Sequence, residues 1–381
     1  MSTRPLSAVV LAAGEGTRMR SARPKPLHLL CGRAMVLYVL DALDDCTIDR
    51  AVVVVGHGAE RVTKKLQEEC PDVVIDFVEQ HVQRGTGDAV SVGLTAFPYE
   101  GDDGDDAEDG GDVIVLPGDT PLLRAATVSE LVAAHRSSDA ACTLLTARLG
   151  DPTGYGRVVR GRDDRVARIG EQADATAEDL EIDEVNTSIY CFRRSVLAPA
   201  LRRLSPENVQ GEYYLTDVVG VLHDAGYRVS SVVSDDPAET QGVNDRLQLA
   251  AAEAELRRRT NAAWQQLGVT MLDPDHTYID ATVTLAPDVT VFPGTLLQGR
   301  TVVGERAELG PDTRLVDCVV GEGAVVEQTV GRDAEVGPGA VVGPFAVLEP
   351  GAQIPAESRT GPFYTGASSD TAGPGTDDPR T

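Results

Sequence analysis

Apolar residues follow three different patterns along this chain. Up to about residue 246 they come as short unbroken runs: Ser7–Ala13, Ala51–Val55, Val73–Val78 and Val113–Leu116. Runs this short, bounded by glycine or polar residues, predict strands buried on both faces. Segments with helical spacing lie among them, at Ala34–Leu43, Ala59–Glu69, Gly87–Ala96 and Thr127–Arg136. Further strands are predicted at Ala141–Ala147, Arg157–Val159 and Val185–Cys191. Alternating strand and helix predicts an α/β domain with a mainly parallel sheet.

The second pattern is a single stretch, Asn244–Leu267, rich in Ala, Arg, Glu and Leu, with no glycine until Gly268. It predicts one amphipathic linker helix. The third pattern has a period of six. Ile279, Leu285, Val291, Leu297, Val303, Leu309 and Leu315 keep strict register. The spacing slips through Val320 and Val325, then resumes at Val330, Val336, Val342, Leu348 and Ile354. A glycine often follows the aliphatic, as in Val303-Gly304 and Val336-Gly337. Hexapeptides of this kind predict a parallel β-helix, each repeat a short strand and a turn with the aliphatic pointing inward. The expected division is an α/β domain over 1–246, a linker helix over 247–270, a β-helix over 271–363 and a disordered polar tail over 364–381.

Composition narrows the function. The chain has 381 residues, a formal net charge of −26 and 25% charged residues. Phosphate backbones attract basic surfaces, so nucleic acid is not an expected partner. Eight acids crowd into Glu100–Asp112, which reads as a mobile loop rather than a metal site. No apolar run approaches the ~18 residues of a membrane span, so no membrane association is expected. The run near the N-terminus ends at Gly14-Glu15-Gly16 without a cleavage-site pattern, so the expected location is the cytoplasm. Six scattered cysteines form no Cys-x-x-Cys pair and read as reduced, mostly buried thiols. Lysine is rare, at Lys25, Lys64 and Lys65 only, against 31 arginines. A lysine kept at 25 hints at a need for an ammonium group there.

Three motifs carry candidate chemistry. Leu11-Ala-Ala-Gly14-Glu-Gly16-Thr17-Arg18-Met19 follows the first strand, and Pro24-Lys25-Pro26 follows it. It is neither a Walker A loop nor a full dinucleotide fingerprint, since Met19 stands where a third glycine would. A glycine-rich turn still lets backbone N–H groups close on phosphate oxygens. Arg18 and Lys25 would supply cationic charge. Gly118-Asp119 lies at the carboxyl end of the fourth strand, where open α/β sheets bind ligands. One aspartate there suits Mg²⁺ held alongside substrate phosphates; a helix N-cap is the competing reading. Glu79-Gln80 and Gly85-Thr86-Gly87 offer an amide for a base edge and a close approach for a flat ring.

These motifs resemble those of the bacterial N-acetylglucosamine-1-phosphate uridylyltransferases, the uridylyltransferase half of a bifunctional enzyme. Asp151–Arg157, Glu184–Thr187, Gln210–Asp217 and Gly242–Asn244 extend the resemblance, which spans roughly residues 6–362. It implies a Rossmann-like nucleotidyltransferase domain followed by a linker helix and a short left-handed parallel β-helix. It also implies that Leu11, Ala13, Gly14, Gly16, Thr17, Arg18 and Lys25 hold UTP, with Arg18 and Lys25 catalytic. Gln80 and Gly85 would read uracil, and Thr86 would line the pocket. Gly154, Glu171 and Asn186 would hold the sugar, and Asp119 and Asn244 would bind Mg²⁺. Tyr155 reads as structural, and no role is given to His57 or His81. A homotrimer through the β-helix is implied as well.

The chain also departs from that pattern. Glu349 stands before Pro350-Gly351 where the family has an arginine that helps bind the sugar phosphate. The stretch after Gly361 lacks the family's lysine, and no residue after 364 replaces its catalytic histidine. The expectation is UMP transfer without acetyl transfer. Ser188 stands where the family often has glycine, near the sugar pocket. A different sugar-1-phosphate, with UTP or dTTP, stays open as an alternative. So does a non-catalytic nucleotide-binding scaffold.

Overall fold

The computed structural model describes residues 4–70, 74–97, 110–161 and 164–366. Most of the acidic stretch and the chain beyond Gly366 lie outside the described residues. Contacts divide the chain into two units. One comprises 1–28 and 34–249, the other 29–33 and 250–381.

The first unit is built on a sheet of nine strands: β1 (Leu6–Ala12), β2 (Arg50–Val55), β3 (Ile75–Glu79), β4 (Asp112–Pro117), β5 (Cys142–Arg148), β6 (Arg157–Arg160), β7 (Val166–Gly170), β8 (Glu184–Arg193) and β9 (Val229–Val233). The main path runs β9-β5-β8-β4-β1-β2-β3, with β6 paired to β8 and β7. Pairing is parallel from β4 through β1 and β2 to β3, while β8 runs antiparallel to both β4 and β5. Helices α1 (Met35–Asp41), α2 (Ala59–Glu69), α3 (Thr86–Leu94), α4 (Ala125–Ser138), α5 (Ala177–Leu180), α6 (Arg194–Leu201) and α7 (Asp217–Asp224) complete the unit.

The unbroken apolar runs are explained by two cores. Ala8, Val10 and Ala12 pack into one, and Val9 and Ala13 into the other. Val53 and Val52 divide in the same way on β2. Alternate side chains leave opposite faces of a strand, so a sheet covered on both sides needs apolar residues at every position. The chain leaves β1 toward β2 on one side and returns to β4 on the other. That makes the carboxyl edge between β1 and β4 a topological switch point, where such sheets form a crevice.

Helix α8 (Arg246–Gln266) leads into the second unit. There the short strands stack in parallel as three sheets of five, six and five, the faces of a left-handed β-helix. Ile279, Leu297 and Leu315 pair in register on one face, and Leu285, Val303 and Val320 on the next. The slip differs from the sequence expectation. The inward residues are Val326 and Gly331, not Val325 and Val330, and Val330 is 53% exposed. A second inward position carries small residues, among them Thr295, Thr301, Thr313, Cys318, Ala324 and Thr329. Thr365–Gly366 pairs with Val347–Leu348, so ordered strand continues past residue 364, where a disordered tail was expected.

Candidate active site

The residues singled out in the first domain converge on one cavity of about 970 Å³ at the switch point. Its walls include Leu11, Ala13, Gly14, Gly16, Thr17, Arg18, Lys25, Gln80, Gly85, Thr86, Asp119, Gly154, Glu171, Asn186 and Asn244. Each arrives from the same edge of the sheet. The loop after β1 brings 13–18, the loop after β3 brings 80–85, and the turn after β4 brings Asp119. Because β8 runs the other way, its first residues reach that edge too, and Asn186 comes with them.

Glycines set the close approaches. Gly118 donates its N–H to the Leu11 carbonyl at 2.8 Å, joining the first and third of these loops. Gly16 has φ +64°, and a Cβ there would meet the Lys25 Cβ at 2.7 Å. The glycine therefore lets the stem of Lys25 lie against the loop, a position that any side chain would crowd.

The Lys25 ammonium donates to Asp119 Oδ2 and, at 2.8 Å, to Asn244 Oδ1. Arg18 donates to the same Asn244 oxygen at 3.0 Å. Asp119 is not a helix N-cap, since α4 begins at Ala125 behind Arg124. A carboxylate and an amide oxygen thus converge on one cation. That donor set fits Mg²⁺, which takes one or two protein oxygens and completes its shell with phosphate and water. Among the described residues, no group of three or more His, Cys, Asp or Glu gathers that could hold a metal alone.

Gln80 is buried and its Nε2 is already committed. It donates to Asp88 Oδ2 at 2.7 Å and to the Gly85 carbonyl at 3.2 Å. These bonds fix the plane of the amide. Gly85 has φ +106°, and a Cβ there would meet the Tyr213 carbonyl at 2.6 Å, so that turn requires glycine. Thr86 Oγ1 accepts the Leu215 N–H at 3.0 Å, tying α3 to the Gln210–Asp217 segment.

Other parts of the lining are acidic and amide-rich, with Glu171, Gln172, Asn186 and Glu212. Glu171 accepts from the Thr216 hydroxyl at 2.8 Å. Burial raises its carboxyl above the ordinary value, against that bond, and Asp217 and Asp174 push the same way. Burial, with Asp174, Glu171 and Glu212 nearby, pushes the Tyr214 phenol up to about 12. Gly154 takes φ +89°, and its N–H reaches Gln172 Oε1 at 3.2 Å. Tyr155 also lines the cavity, although its sequence suggested only a structural role. Gln172 and Tyr190 line it as well, outside every motif of the sequence, and so does Gln83, which lies within Glu79–Gly87 but carries no role there. His57 and His81 are exposed and stand outside it. The six cysteines are free, and four of them are buried.

A glycine-rich turn that brings Arg18 and Lys25 to Asp119 at an α/β switch point fits a nucleotidyltransferase. Residues 8–217 match the MobA-like NTP transferase domain family. The chain is 45% identical over 335 residues to the bifunctional protein GlmU of Thermobifida fusca, covering 88% of this chain and 68% of that one. It is 46% identical over 376 residues to the bifunctional protein GlmU of Mycobacterium tuberculosis strain H37Ra, covering 98% and 74%. Against the Streptomyces coelicolor protein of the same name the figures are 46% over 378 residues, 99% and 76%. The chain belongs to the GlmU family, and it is a nucleotidyltransferase enzyme.

Proposed function

We propose that this protein transfers UMP from UTP to N-acetylglucosamine-1-phosphate, giving UDP-N-acetylglucosamine and pyrophosphate. The observation that carries the proposal is the convergence of Arg18, Lys25, Asp119 and Asn244 on one point of the cavity floor. Gln80 and Gly85 would read the base, and Gly154, Glu171 and Asn186, which line the same cavity, would hold the sugar. Ala13, Gly14, Gly16 and Thr17 would cradle the triphosphate through their backbone.

In this reading the sugar phosphate oxygen attacks the α-phosphorus in line, and pyrophosphate leaves from the opposite side. The nucleophile is already an anion, so the chain supplies no general base. Its task is alignment and neutralisation of crowded charge. Arg18 would hold phosphate oxygens as a planar fork, and Lys25 would follow the charge that grows on the leaving pyrophosphate. Asp119 and Asn244 would hold Mg²⁺, whose double charge would screen the phosphates from one another.

We infer that acetyl transfer is not carried out by this chain. Glu349 is exposed on its turn and would repel a sugar phosphate where the family's arginine would attract one. We further propose a homotrimer through the β-helix. The outward-facing Val302, Val319, Val330 and Val347 are each exposed on its faces. Light scattering would give three chains per particle. A glucosamine-1-phosphate and acetyl-CoA assay with free-thiol detection tests the first inference, and any enzyme-dependent thiol release would overturn it.

A further inference from the structure

The side-chain amide of Asn186 lines the cavity, and the strand that carries it is irregular there. Asn186 pairs with Thr146 and Tyr190 with Leu144, so four residues of β8 span two of β5. The bulge places Ser188 at φ +63°, a conformation that costs about 1–2 kcal/mol for a residue with a Cβ. Backbone strain of this kind persists where the surroundings over-determine it.

Both ends of the Asn186 amide are held across the bulge. Asn186 Nδ2 donates to the Tyr190 hydroxyl at 2.8 Å, and Oδ1 accepts the Ser188 N–H at 3.3 Å. Tyr190 cannot turn away. It is 1% exposed, and its ring stacks on Phe192 with centroids 5.4 Å apart and planes 26° apart. Burial also raises its phenol well above the ordinary value, so the hydroxyl stays neutral and keeps its proton. An amide carries two N–H donors and two acceptor lone pairs. One of each is used within the protein, which leaves one donor and one acceptor in a fixed plane.

We infer that Tyr190 is a positioning residue for the sugar phosphate, acting through Asn186: the Ser188 N–H, a donor only, fixes Oδ1 as the acceptor end, and the Tyr190 hydroxyl holds the Nδ2 end and with it the plane of the amide. The inference rests on the sugar-phosphate reading of this part of the cavity. Without the hydroxyl, only the Ser188 N–H bond holds the amide, which is then free to swing about its last torsion. A ligand that needs the remaining donor and acceptor in one plane would then meet a spread of amide planes, only part of which fit it.

The test is Tyr190→Phe in steady-state pyrophosphate release, with wild type first assayed on N-acetylglucosamine-1-phosphate, glucosamine-1-phosphate and glucose-1-phosphate. KM for whichever sugar phosphate turns over should rise about three- to tenfold, the worth of one hydrogen bond, while KM for UTP stays within twofold. In Asn186→Ala the same second substitution should add less than twofold, because the residue acts only through that amide. A sugar-phosphate KM within twofold of wild type in Tyr190→Phe overturns the inference and leaves the substrate reading standing. So does full additivity with Asn186→Ala, or an equal rise in KM for UTP, either of which marks a general packing role. Silence of the wild type with every sugar phosphate overturns both.

Discussion

Replacing Lys25 by Met should move two measurements in opposite directions. The substitution keeps most of the stem that lies against Gly16 and removes only the charge. In this structure the ammonium ties Asp119 to Asn244, and its side chain is 14% exposed against 23% for Asp119. At an effective dielectric of 20, two unit charges ~3 Å apart attract by about 5 kcal/mol, most of which is offset when the separated groups regain water. A net competition of about 1.4 kcal/mol corresponds to tenfold. Mn²⁺, used as a spectroscopic stand-in for Mg²⁺, should therefore bind the nucleotide-free Lys25→Met protein about tenfold more tightly than wild type. The same protein should lose about 10²–10³-fold in kcat, the usual cost of removing one preorganised group aimed at developing charge. Electron paramagnetic resonance of free Mn²⁺ reads the first quantity, and pyrophosphate release reads the second. Unchanged or weaker Mn²⁺ binding would refute the claim that lysine and metal share these oxygens. A kcat within fivefold of wild type would remove Lys25 from the reaction.

Three further substitutions test the electrostatics and the β-helix register. Glu171 has a carboxyl pKa raised by burial, so folding is unpenalised below the unfolded value; the penalty grows as pH rises between the two values and is full above the folded one. Glu171→Gln, neutral throughout, should raise Tm at pH 8 and leave it unchanged at pH 4 by scanning fluorimetry. An equal change at both would mean that the charge is not what burial opposes. In the β-helix, Val326→Ala should cost about 2 kcal/mol in urea unfolding and Val325→Ala under about 0.5. The reverse order would restore the register read from the sequence.

Parts of this molecule were legible because a local pattern decides them. The α2 bounds, Ala59–Glu69, were read from spacing alone, and β1 differs from its expected run by one residue at each end. The hexapeptides were clear because every turn of the coil repeats the same demand for an inward aliphatic. The slip was not, for a particular reason. Between Leu315 and Val336 the steps of the inward positions are five, six, five and five residues. Val325 and Val326 are both eligible, and the inward place at 331 is filled by glycine, whose Cβ would meet Leu315 Cδ2 at 3.0 Å. No one-dimensional pattern selects among these; packing against the coils on either side does. Strand β9, Val-Ser-Ser-Val-Val, escaped because an edge strand with serines has neither an unbroken apolar run nor clean alternation. The site was legible as motifs, since glycine turns and charged residues announce themselves. Tyr190 was not, because its role comes from a bulge defined by the partner strand, and a buried tyrosine in an apolar run reads as core.

The central claim is tested most directly by pyrophosphate release from the purified chain with Mg²⁺, UTP and N-acetylglucosamine-1-phosphate, beside glucosamine-1-phosphate and glucose-1-phosphate. Turnover with the N-acetyl sugar should be at least about 10²-fold above the other two in kcat/KM, because a site built for the acetamide leaves polar groups unpaired without it. Faster release with either of the other sugars, or none with the N-acetyl sugar, would contradict it.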